Sequence, residues 1–173
     1  MTGPGTGPGD AVTVAGMASR GAEPWRLSDQ ERIELVRKLN LPQKEQGPLS
    51  WREHEELDLL PFIRPPAQVE AIEREAREEL TTYVSNPDMV DYRQGILDAI
   101  AWARGERAQA PVSGQVARFQ PPTYNELVNE VSFIDDVSYR RVRLARPPSS
   151  FYSSGVGQTL LWLVGYLDDP PTR

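Results

Sequence analysis

Glu126 and Glu130 stand one helical turn apart in the stretch Thr123-Tyr124-Asn125-Glu126-Leu127-Val128-Asn129-Glu130, and Asp135-Asp136 follow. Carboxylates at that spacing share a helix face, and such a face can hold Mg²⁺ through oxygen ligands against the phosphates of a substrate. Glu126, Glu130 and Asp136 are therefore the candidate ligands for hydrolysis of a phosphorylated small molecule. Nucleophilic chemistry has less to work with. The chain has no cysteine and one histidine, His54, in Glu53-His54-Glu55-Glu56-Leu57-Asp58. Any Ser/His/Asp triad would have to use that residue, and no G-x-S-x-G elbow accompanies it. Residue 58 is Asp, so the zinc motif H-E-x-x-H is not formed, and the paired Glu-x-x-His motifs of a di-iron bundle are missing. Gly155-Val156-Gly157 has neither a strand before it nor a lysine after it, which excludes a phosphate cradle. Arg140, Arg141, Arg143 and Arg146 place four guanidinium groups within seven residues. On a helix they fan around the circumference instead of forming a stripe, and their expected role is charge compensation. No catalytic residue, cofactor or metal site is assigned.

The carboxylate pattern of residues 126–136 resembles that of the all-helical nucleotide pyrophosphohydrolases, which implies an alternative function as an all-α, Mg²⁺-dependent hydrolase. That family's motif has two adjacent glutamates and a third three residues on. Neither Glu126/Glu130 nor Glu78-Glu79 completes it.

With 173 residues, 39% of them hydrophobic, the chain can bury one modest core. A net charge of −6 and a pI near 4.9 repel phosphates and anionic lipid, which argues against nucleic acid and membrane as partners. The longest apolar run, Val156 to Leu167, is interrupted by Gly and Gln and is shorter than the ~20 residues a bilayer crossing needs. The opening residues Met-Thr-Gly-Pro lack the basic and apolar regions of a secretory signal, so a soluble, cytoplasmic protein is expected. Seventeen arginines against two lysines, with abundant alanine, suggest a GC-rich bacterial genome.

The elements that would position any site are helical. Residues 1–26 are rich in Gly and Pro and predict a flexible tail; residues 27–173 predict a single helical domain. Within it, residues 27–64 hold two short helices and a loop. Ser28 and Glu31 have capping-box spacing, and Ser50-Trp51-Arg52-Glu53 opens a second helix running to about Leu60. Residues 65–111 form a first hairpin, with an apolar stripe of Val69, Ile72, Ala76, Leu80 and Tyr83 or Val84. Asn86-Pro87-Asp88 then starts a helix carrying Met89, Tyr92, Ile96, Ala99 and Ala103. After a linker at 112–120, residues 121–173 form a second hairpin. Thr123 and Glu126 open its first helix, which is expected to run on to Ala145, and Ser149 or Ser150 caps its last.

The two hairpins carry one signature. Tyr92, Gly95, Trp102 and Gly105 recur sixty positions later as Tyr152, Gly155, Trp162 and Gly165. Gly95 and Trp102 share a helix side, as do Gly155 and Trp162. Glycine inside a helix costs about 1 kcal/mol, which a close helix approach offsets, with each tryptophan covering the edge. The expected fold is all-α: two related helical hairpins form an approximate four-helix bundle, with one or two short N-terminal helices packed on it. The last helix, with Leu160, Leu161, Leu163 and Val164, is apolar on nearly every side and must be covered by the rest of the chain or by another. The expected function is a non-enzymatic protein–protein interaction module, an adaptor or subunit that binds itself or a protein partner through this helix. Its packing or interface residues are the eight repeated ones with Leu160 and Leu163.

Overall fold

The computed structural model describes residues 26–57 and 59–171. The tail expected over residues 1–26 lies outside them except for Arg26, and so does Asp58. The fold is all-α: α1 (Asp29–Leu39), α2 (Trp51–Leu57), α3 (Pro66–Thr82), α4 (Pro87–Ala103), α5 (Tyr124–Ser138) and α6 (Ser150–Leu163), with a 3₁₀ turn at Gln43–Glu45. Among the described residues the β-type pairing is one isolated bridge between Gln109 and Val116.

Local chemistry sets the helix starts. Ser28 and Thr123 each accept the amide of the residue three positions on, Glu31 and Glu126, whose carboxylates return to the cap amides. Asn86 and Ser149 cap α4 and α6. At the other end, Gly105 (φ 76°) and Gly165 (φ 83°) turn the chain left-handed after α4 and α6. In each, the glycine amide bonds the carbonyl of Trp102 or Trp162 and the next amide bonds Ala101 or Leu161, at 2.8–3.0 Å.

Two helix ends differ from expectation. Helix α5 stops at Ser138 and not at Ala145, because Arg140 takes the same left-handed turn (φ 59°) that the glycines take elsewhere. Its amide bonds Val137 O at 3.0 Å and that of Arg141 bonds Asp136 O at 2.7 Å. The four arginines therefore lie on an exposed loop, not on a helix. Helix α2 ends at Leu57 instead of about Leu60, and the α3 stripe is buried only at Val69, Ile72 and Ala76; Val84 is 75% exposed.

Helices α4 and α6 form the central pair, with α3 packed on α4 and α5 on α6. One apolar cluster runs from Leu35 and Leu39 through Ile96 and Leu127 to Leu160 and Leu163. The segments leading into the hairpins cross over. Before α3, Ile63 N bonds Leu163 O at 3.0 Å and Arg64 Nε bonds Trp162 O at 2.7 Å, at the end of α6. Before α5, Gln120 Nε2 bonds Gly105 O at 2.7 Å, at the end of α4. Each hairpin is thus held at its entry by the exit of the other.

Candidate functional site

Of the repeated residues, Tyr92, Gly95, Tyr152 and Gly155 meet at the α4/α6 crossing. A Cβ on Gly95 would lie 3.0 Å from Val156 N, 3.2 Å from Tyr152 C and closer still to Tyr152 O. A Cβ on Gly155 would lie 3.0 Å from Tyr92 C, 3.3 Å from Ile96 N and closer to Tyr92 O. Gly95 faces Tyr152 and Gly155 faces Tyr92, so the helices run antiparallel and their backbones touch through the two glycines.

The tyrosines repeat the exchange. Tyr92 OH donates to Gln158 Oε1 and Tyr152 OH to Asp98 Oδ2, both at 2.6 Å, and Asp98 and Gln158 are themselves sixty positions apart. Burial raises the pKa of both phenols, and the Asp98 carboxylate raises that of Tyr152 further. Asp98 is also held by Arg107 at 2.9 Å and Gln94 Nε2 at 2.8 Å.

Trp102 and Trp162 are each 2% exposed. Seven residues past their glycines, roughly 10 Å along the axis, they lie beyond the start of the antiparallel partner. They therefore close the far ends of the pair and not its crossing. Arg64 stacks 5.6 Å from the Trp162 ring centre. Burial lowers the Arg64 pKa, and Asp168 opposes that effect.

Leu160 and Leu163, expected at packing or interface positions, are fully buried within the chain, as are Val156 and Val164. Of the α6 leucines before Gly165, Leu161 alone keeps part of its surface. The chain thus supplies most of the cover that this apolar helix demands. Helix α4 also carries an interior charge: Arg93 is 3% exposed, pairs with Glu79 of α3, and lies 3.4 Å from Pro171 O.

The candidate metal-binding carboxylates of α5 are engaged within the chain. Glu130, 3% exposed, accepts the amides of Val112 at 2.7 Å and Ser113 at 3.0 Å. Glu126 accepts those of Thr123 and Arg118, and Asp136 pairs with Arg141 at 3.1 Å. Among the described residues no three His, Cys, Asp or Glu side chains gather as a metal site would need. His54 is exposed, with Nδ1 2.9 Å from Ser50 O.

Among the described residues, the surface hollows include two of about 390 Å³. One lies between α1 and α2, where Lys38 meets Glu53 at 3.1 Å and Arg52 meets Glu31 at 3.2 Å, so its charges are already matched. The other is a groove between α5 and α6, floored by Ile134, Ser153, Gly157 and Leu161, with Asp135 on its wall. Ser138 and Pro148, at the two ends of the arginine loop, also line it. The next residues along from Ser138 and Ser150 are Tyr139, 73% exposed, and Phe151, 43% exposed. Sequence reasoning did not mark Ser153 or the groove, and named Asp135 only beside the carboxylates of α5; the sixty-residue spacing would have paired Asp98 with Gln158.

Comparison of the chain with protein-family models, with curated proteins and with solved structures finds no match. No helix among the described residues is long and apolar enough to cross a membrane.

Proposed function

We propose that the protein is a non-enzymatic protein–protein interaction module that binds through the side of α6 its own fold leaves accessible, the α5/α6 groove. The observation that carries this reading is the groove itself. It is open, partly apolar at Leu161, Ile134 and Val131, and continued in the chain by the exposed aromatics Tyr139 and Phe151. Exposed aromatic anchors beside an apolar hollow are what protein interfaces use for affinity. The carboxylates that a hydrolase would use are engaged by main-chain amides and Arg141, and nothing in the geometry favours that alternative.

A benzophenone-bearing residue in place of Leu161 tests the proposal, with the same residue in place of exposed Glu75 on α3 as control. Illumination in an extract of the source cells should yield a protein adduct at position 161 and none at 75. Adding Ser153→Arg, which fills the groove, should abolish it. No adduct at 161, or equal adducts at both positions, overturns the reading.

A further inference from the structure

The two hairpins differ in how the space between their helices is filled. Helices α3 and α5 share a burial pattern fifty-eight positions apart, with Val69, Ile72 and Ala76 matched by Leu127, Glu130 and Ile134. Their first residues, Pro66 and Tyr124, are in the same register. In that register Glu79 corresponds to Val137. In the sixty-residue register of α4 and α6, Arg93 corresponds to Ser153. Between α3 and α4, the space is filled by the Arg93 guanidinium, paired with Glu79 and beneath the Pro171 carbonyl. Between α5 and α6, valine and serine stand in those places, and both line the open groove.

The groove therefore has the position of an arginine site with the arginine missing. An anion is still at hand: Asp135 lines the wall and is exposed. The chain also displays candidates to fill the site. Arg140, Arg143 and Arg146 are exposed on the loop that begins beside Ser138 and ends beside Pro148, while Arg141 is held by Asp136. In this fold the three stay on the surface, with Arg140 held in the turn that closes α5, so the groove is open to the loop of a second molecule. Loop and groove adjoin on one face, as an isologous twofold contact requires, with each loop entering the other's groove.

We infer that the occupant of the α5/α6 groove is the arginine loop, residues 140–146, of a second copy of this chain, with a guanidinium seated over Ser153 and paired with Asp135. The inference rests on the interaction reading above and specifies its partner.

Sedimentation velocity on the full chain tests it. The wild type should show a concentration-dependent dimer that weakens with salt. Asp135→Arg should lower the association constant about tenfold or more, the usual loss for a charged hydrogen-bonded pair. The triple change of Arg140, Arg143 and Arg146 to Glu should do the same. An equimolar mixture of the two variants should recover the dimer, because the one reversed and the one native contact of the mixed pair are both complementary; that recovery also shows both variants to be folded. A monomer at every concentration, a dimer indifferent to the reversals, or a mixture that stays dissociated overturns the inference. An adduct at position 161 with a different protein, from a chain that sediments as a monomer, overturns the self-association while leaving the interaction reading standing.

Discussion

Gly155→Ala and Gly157→Ala, two residues apart on one helix, should move stability in opposite directions. In an open helix either change gains about 1 kcal/mol from propensity. A methyl on Gly157 would meet only Ile134 Cδ1 and Cγ2, each at 3.8 Å, which is ordinary contact. That variant should keep the gain and melt about 2–4 °C higher, the usual response of a chain this size. A methyl on Gly155 meets the Tyr92 carbonyl and Ile96 N, main-chain atoms that cannot rotate aside. Overpacking costs about 1–3 kcal/mol, and a backbone neighbour places it at the upper end. Against the propensity gain the net loss is about 2 kcal/mol, or about 4–8 °C. Gly95→Ala should match it. One separation of α4 from α6 relieves both clashes, so the double variant should lose less than the two singles together, by about 0.5 kcal/mol or more. Thermal and urea unfolding followed by circular dichroism measure all four. A Gly155→Ala variant as stable as the wild type would refute the close crossing.

Arg140→Gly should stabilise by about 0.5–1 kcal/mol, because the left-handed turn at φ 59° strains a side-chain-bearing residue and suits glycine; urea midpoints check it. Glu130→Ala should cost about 2 kcal/mol by leaving the buried Val112 amide and the half-buried Ser113 amide without this acceptor, and Glu130→Gln should recover most of that. Millimolar Mg²⁺ should leave the unfolding midpoint of the wild type unmoved, and a clear upward shift would revive the metal reading. The phenols of Tyr92 and Tyr152 have raised pKa values in the folded chain, so the stability they contribute is complete below their unfolded value of 10.0 and is lost as pH rises above it. Urea midpoints should hold steady up to about pH 10 and then fall, and Tyr152→Phe should soften that fall.

What the sequence made legible was chemistry confined to a few neighbouring residues. The capping pairs Ser28/Glu31 and Thr123/Glu126 and the Asn86-Pro87 start each involve residues within about one turn, and each forms. The Gly95/Gly155 contact was legible because repetition carries long-range information. The end of α5 was not, since Arg140 bears no mark of a residue that turns left-handed. Nor was the burial of Arg93, whose partners Glu79 and Pro171 lie far off in the chain. Glu126 and Glu130 carry the spacing of metal ligands, yet the amides that claim them belong to the loop before α5, which periodicity does not place. The groove was hidden for a different reason: it opens where Val137 and Ser153 stand in place of Glu79 and Arg93, which only the register of the two halves reveals.

The crossed entries and exits of the hairpins give this chain a freedom that a dimer of identical hairpins lacks. In such a dimer any mutation acts twice, and a residue that plugs one cleft plugs its mate. With both halves on one polypeptide, the Arg93–Glu79 pair can seal one side and brace the scaffold while Ser153 and Val137 hold the opposite side vacant. A closed seam and an open groove are then set by different codons, and broken symmetry becomes the means by which a small helical domain keeps both.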